Sequence, residues 1–113
     1  MKYLCPLALL VASTLPAQAD FPVIEGAELR GSSLHVTLSH PDTGWEHYAD
    51  GWEVSTPDGE VLGLRVLAHP HVQEQPFTRS LPVDVPEGVT ALHIRARCNR
   101  DGWGDQVYVV PLE

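Results

Sequence analysis

Four histidines and one cysteine carry the strongest chemical signal in the chain. His40 and His47 stand seven residues apart in one polar segment, His69-Pro70-His71 forms a close pair in a second, and Cys98 ends an apolar-polar alternation before a third. Imidazole nitrogens together with a thiolate suit iron, copper or zinc, and bringing them from several loops is the simplest way to assemble such a site. In an extended segment an i, i+2 pair points both rings to one side, and Pro70 favours that extended geometry at His69. Taken alone the pair reads better as two solvent-facing or hydrogen-bonding histidines; the company of His40, His47 and Cys98 shifts the reading toward a metal. As a ligand Cys98 would be a shielded thiolate; otherwise it is a buried thiol acting as a small hydrophobe. Zinc sites with two or four cysteines are excluded by a single cysteine beyond residue 19. Blue copper is excluded too, because Met1 is the only methionine and Asn-Arg-Asp-Gly-Trp follows Cys98. No Gly-x-Ser-x-Gly hydrolase motif occurs.

The elements that must position these groups are strands. Apolar and polar residues alternate, with no sustained helical period, near Val23 to Leu29, Leu34 to Ser39, Gly51 to Ser55, Val61 to Ala68, Phe77 to Val83, Ala91 to Cys98 and Gln106 to Pro111. Seven short strands in one all-β domain predict an immunoglobulin-like β-sandwich. Leu34, Val36, Leu38, Trp52, Val54, Leu92, Ile94, Ala96 and Cys98 are expected to face inward, with His35 and His93 outward. In an antiparallel sandwich every second connection returns to the same end. The turns at 30–32, 57–60 and 84–90 therefore belong to one pole, and the segments 40–50, 69–76 and 99–105 to the other. The second pole collects His40, Asp42, Trp45, Glu46, His47, Tyr48, His69, His71, Glu74, Asn99, Asp101 and Trp103. Trp45, Tyr48 and Trp103 read as a lid packed over the end of the core or as an aromatic platform for a sugar or peptide, the lid being preferred.

Residues 1–19 read as a cleaved signal peptide, with Lys2, an apolar run from Leu4 to Leu15 and the small-x-small sequence Ala17-Gln18-Ala19. The mature domain is then residues 20–113, beginning at Asp20, enough for one modest core. The apolar run is shorter than the roughly 20 residues a membrane-spanning helix requires. Cys5 heads that run without the small residues of a lipidation site before it, so no membrane anchor is expected and the product is periplasmic or secreted. The net charge of −8 becomes −9 once Lys2 is removed, which argues against nucleic acid or an anionic membrane as partner.

Two segments resemble a known family. His40-Pro41-Asp42-Thr43-Gly44-Trp45-Glu46-His47-Tyr48, followed by Gly51-Trp52-Glu53-Val54, resembles the His-Pro-Met, His-Tyr-Ile and Trp-Ile segment of desulfoferrodoxins and superoxide reductases. Cys98-Asn99-Arg100-Asp101-Gly102-Trp103 resembles their Cys-Asn-x-His-Gly-Leu-Trp segment. The resemblance implies an immunoglobulin-like sandwich with one iron held by histidines and a cysteinate. It also implies one-electron reduction of superoxide to peroxide at an open iron position, with an electron donor as partner. His40, His47 and Cys98 match ligands of the family, and Asp101 stands where its last histidine would be, as ligand or as a partner orienting an imidazole. The spacing from His40 to His47 is one residue longer than the family pattern, and no equivalent of its first, upstream histidine is found. No lysine remains after residue 19, which leaves Arg100 as the candidate for the cation such reductases place near the open position. His69 and His71 are further candidate ligands, from the residues rather than from the resemblance. Two other readings stand beside an iron protein: a non-catalytic accessory module binding a periplasmic protein or glycan at the aromatic pole, and a copper or zinc protein using the histidines without the thiol.

Overall fold

The computed structural model describes residues 19–113; apart from Ala19, the expected signal peptide lies outside the described residues. Eight antiparallel strands form two packed sheets. In chain order they are β1 (Val23–Arg30), β2 (Ser33–Ser39), β3 (Ala49–Ser55), β4 (Val61–Val66), β5 (Phe77–Pro82), β6 (Ala91–Cys98), β7 (Gly102–Trp103) and β8 (Tyr108–Pro111). One sheet has the order β1-β2-β5, and the other β4-β3-β6-β7 with β8 also paired to β6. The seven expected strands are all present. The eighth, β7, falls in a segment expected as loop, because two residues are too short to show a period. β7 and β8 lie against successive parts of β6, through Arg97 and Cys98 and then Ala91 to Ile94. Between them the Gly104 N–H donates to the Ala96 carbonyl at 2.9 Å, so the two form one interrupted edge.

Alternation places the core as the sequence predicts. Leu34, Val36, Leu38, Trp52, Val54, Leu92, Ile94, Ala96 and Cys98 are all buried, and His35 and His93 lie on the partly exposed faces of β2 and β6. Trp52, on the central strand β3, is fully buried among the apolar side chains of both sheets. Antiparallel pairing puts the ends of β2 and β6 and the start of β3 at one pole. Ala49 is paired with Cys98 there, so the entry to β3 and the exit from β6 are fixed side by side.

Trp52→Ala would leave a tryptophan-sized cavity in a close-packed core. The expected loss is about 3–5 kcal/mol of unfolding free energy, read as a lower denaturant midpoint.

Candidate metal centre

Three buried side chains from two segments meet at this pole. One ligand atom from each of His40, His47 and Cys98 lies within 4.8 Å of the others. Cys98, the last residue of β6, points inward by the same alternation that buries Leu92, Ile94 and Ala96. His40 follows β2 directly. His47 is carried by a tight turn in which the His47 N–H donates to the Gly44 carbonyl at 3.2 Å and the Thr43 N–H to the His47 carbonyl at 3.0 Å. Gly44 has a φ of +151°, a backbone conformation that residues with a side chain rarely adopt, so the turn favours glycine.

Asp42 organises the loops around this cluster. Its fully buried carboxylate accepts from His40 Nδ1 at 2.5 Å and from the Ala49 N–H at 2.9 Å on one oxygen. The other oxygen accepts from the His71 N–H at 2.8 Å. The carboxylate thus fixes the His40 ring and leaves only Nε2 for a metal, the arrangement by which a second carboxylate orients a ligating imidazole. The sequence places Asp42 at this pole without indicating a role for it; an aspartate two residues after a candidate histidine is the available signal.

Asn99 joins the remaining segment. Its side chain accepts from the Tyr48 N–H at 2.9 Å and donates to the Trp45 carbonyl at 2.8 Å, while its own N–H donates to the Tyr48 carbonyl at 3.1 Å. The loop bearing His47 is thereby clamped to the turn after Cys98.

One of the three donors is left without a partner. His47 Nε2 is buried and makes no hydrogen bond, and the nearest carboxylate oxygen, Asp101 Oδ2, stands 3.5 Å away. The same oxygen is 3.6 Å from Cys98 Sγ, and the Asp101 N–H donates to that sulfur at 3.2 Å. An unpaired buried imidazole nitrogen facing a buried thiol is costly in an apolar setting and fits a cation. Burial pushes the Asp101 carboxyl up, but the Asp20 N–H, the Arg100 guanidinium and the Cys98 thiol outweigh it and hold the group below its ordinary range.

His69 and His71 take other positions. The His71 ring stacks on Phe77 with centroids 3.9 Å apart and planes 11° from parallel, and neither ring nitrogen is hydrogen-bonded. His69 is exposed and lies beside it at 4.6 Å between centroids. Among the described residues the mutual cluster comprises His40, His47 and Cys98 without this pair. His71 is engaged by the Asp42 oxygen opposite the one that holds His40, through its backbone. The three aromatic residues differ in exposure, Tyr48 and Trp103 being partly buried. Trp45 is 65% exposed at the tip of its turn, edge-on to Tyr48 at 5.6 Å. Trp103 lies under the guanidinium groups of Arg95 and Arg97, at 4.9 and 5.5 Å from its centroid. The buried polar groups at this end are Asp42, His40, His47 and His71, while Trp45 is exposed and Trp103 partly so.

Two outcomes follow from this geometry. Asp42→Ala leaves His40 Nδ1 and two buried N–H groups without an acceptor, and is expected to cost about 3–5 kcal/mol, measured by chemical unfolding. Burial holds the His71 imidazole below 6.5, helped by Arg79 and His69 and only partly opposed by Asp42 and Glu74. The unfolded chain therefore takes up this proton more readily than the folded one, so stability falls as pH drops below about 6.5. His71→Phe, which keeps a ring against Phe77, is expected to flatten the decline between about pH 7 and pH 5 in unfolding curves.

No family model matches the chain. A protein from Halomicrobium mukohataei, provisionally described as a lipoprotein, is 42% identical over 90 residues, covering 80% of this chain and 44% of its own length. The chain thus spans less than half of that relative. Among solved structures, a superoxide reductase (1Fe-SOR) from Giardia intestinalis superposes with a TM-score of 0.54 at 21% identity, over 77% of this chain and 94% of that one. A superoxide reductase (neelaredoxin) from Ignicoccus hospitalis gives 0.49 at 19% identity, over 86% and 83%. The first likeness establishes the architecture: this chain has a superoxide-reductase-like fold.

Proposed function

We propose that the chain is an exported iron-binding protein of the superoxide reductase type, with His40, His47 and Cys98 as ligands and Asp101 at the edge of the centre. The observation that carries this reading is the cluster of three buried donors within 4.8 Å, on a fold like that of a protein whose own name marks it as a one-iron superoxide reductase. Export is supported by the leader-like residues 1–19 and by the description of the Halomicrobium relative. A periplasmic or secreted setting follows, with an electron donor as the partner and no role for nucleic acid.

Bound there, ferrous iron would supply the one-electron reduction of superoxide at an open coordination position. The chain's own residues do the rest. Asp42 holds the His40 ring so that Nε2 is its metal-facing nitrogen. Cys98 is fully buried, and the Asp101 N–H is directed at its Sγ. Arg100 is half exposed beside Asp101, 3.5 Å from its carboxylate, and offers a positive group to an incoming anion. It does so against a net charge of −9 without residues 1–19, which slows anions at low salt.

Metal content of the exported protein tests the reading, beside Cys98→Ala and a His40→Ala, His47→Ala double variant. About one iron per chain is expected in the parent protein and none in either variant, with a thiolate-to-metal absorption band that disappears with Cys98. Copper or zinc kept without Cys98 would favour a histidine-based site. No metal after anaerobic reconstitution would sink the proposal.

A further inference from the structure

The chain reaches the centre from upstream at Asp20, and three of its groups meet residues there. Its carbonyl oxygen is 2.7 Å from His40 Nε2, its backbone nitrogen, the α-amino group once residues 1–19 are removed, donates to Asp101 Oδ2 at 3.2 Å, and a carboxylate oxygen lies 3.9 Å from an Arg100 guanidinium nitrogen. The following residues fix this position. Phe21 packs on Gly104, where a Cβ would come within 3.1 Å of the Phe21 side chain, and Pro22 is buried. The Ile24 N–H donates to the Gln106 amide oxygen at 2.8 Å, and the Gln106 amide nitrogen donates back to the Ile24 carbonyl at 3.2 Å.

His40 Nδ1 is taken by Asp42, so a cation can reach this imidazole only through Nε2, the position the Asp20 carbonyl covers. A cation and that carbonyl compete for one place. The residue displaced carries a carboxylate of its own, 52% exposed and held only by a long contact to Arg100, so redirecting it sacrifices no buried interaction. Asp101 already brings a carboxylate to within 3.6 Å of two of the three donors on the other side. Two histidines joined by carboxylate suit ferrous iron better than copper, which the histidines and thiol alone would not disfavour.

We infer that Asp20 is a metal ligand of this centre: a cation bound at His40 Nε2 takes the place of the Asp20 carbonyl and draws in the Asp20 carboxylate, giving a site of two imidazoles, one thiolate and oxygen donors from Asp20 and Asp101. The inference rests on the metal reading above and names a residue which that reading leaves out. No upstream histidine of the family pattern has a counterpart in this chain, and the structure brings an upstream residue of another kind to the same centre.

The test uses the exported protein and Fe²⁺ alone, under anaerobic conditions, with affinity measured by chelator competition and the energy of the thiolate-to-metal band as a second readout. Asp20→Asn and Asp20→Ala keep the backbone carbonyl and remove the carboxylate. They are expected to weaken binding about ten- to a hundredfold and to shift the band, while Asp20→Glu restores most of both. Unchanged thermal unfolding of the metal-free variants separates this loss from misfolding. Affinity and band equal to the parent's in both variants, or tighter binding, would overturn the inference and leave the metal reading intact. A parent protein that binds no Fe²⁺ overturns both.

Discussion

One buried carboxylate holds this pole of the molecule together. Asp42 takes a side-chain nitrogen from its own segment, a backbone N–H from the first residue of β3 and a backbone N–H from the segment between β4 and β5. A fully buried aspartate is tolerable only when its lone pairs are filled, and here they are filled by groups that would otherwise be orphaned themselves. The loops are tied to one another by that mutual need. The ring of His40 is oriented as a by-product, and any metal chemistry at the pole inherits its geometry from Asp42.

Asn99 plays the matching part on the other side. By pairing with both Trp45 and Tyr48 it ties the turn that presents His47 to the turn that follows Cys98. His47 and Cys98 are thus held together by one amide, beside strands already in register through Ala49 and Cys98. The acidic residues nearest the cluster, Asp20 and Asp101, are linked to each other and to Arg100. A chain so acidic overall places one of its few cations, Arg100, between the Asp20 and Asp101 carboxylates, which limits their repulsion.

What could be read from the residues alone follows from period and from pairing rules. Alternation located Leu34, Val36, Leu38 and the inward face of β6, and the parity of antiparallel connections then assigned His40, His47 and Cys98 to one pole without any knowledge of the coordinates. β7 escaped because two residues have no period. Asp42 escaped because two of its three partners are backbone N–H groups, which carry no signature in the sequence and become neighbours only through folding. His71 was grouped with the other histidines by its side of the molecule, yet a pole is wider than a coordination sphere, and stacking on Phe77 holds its ring elsewhere. From the sequence Asp20 is only the expected start of the mature chain; its approach to His40 depends on Phe21 packing on Gly104, which no local pattern reveals.

Cys98 is the one cysteine among the described residues, so this domain lacks the covalent staple common in exported proteins of its size. A cation shared by His40 and Cys98 would join points nearly 60 residues apart along the chain, and in a loop-closure treatment a link of that span removes about 4 kcal/mol of unfolded-state entropy. Metal supply would then act as a reversible cross-link, making the lifetime of the folded domain depend on the ion it carries.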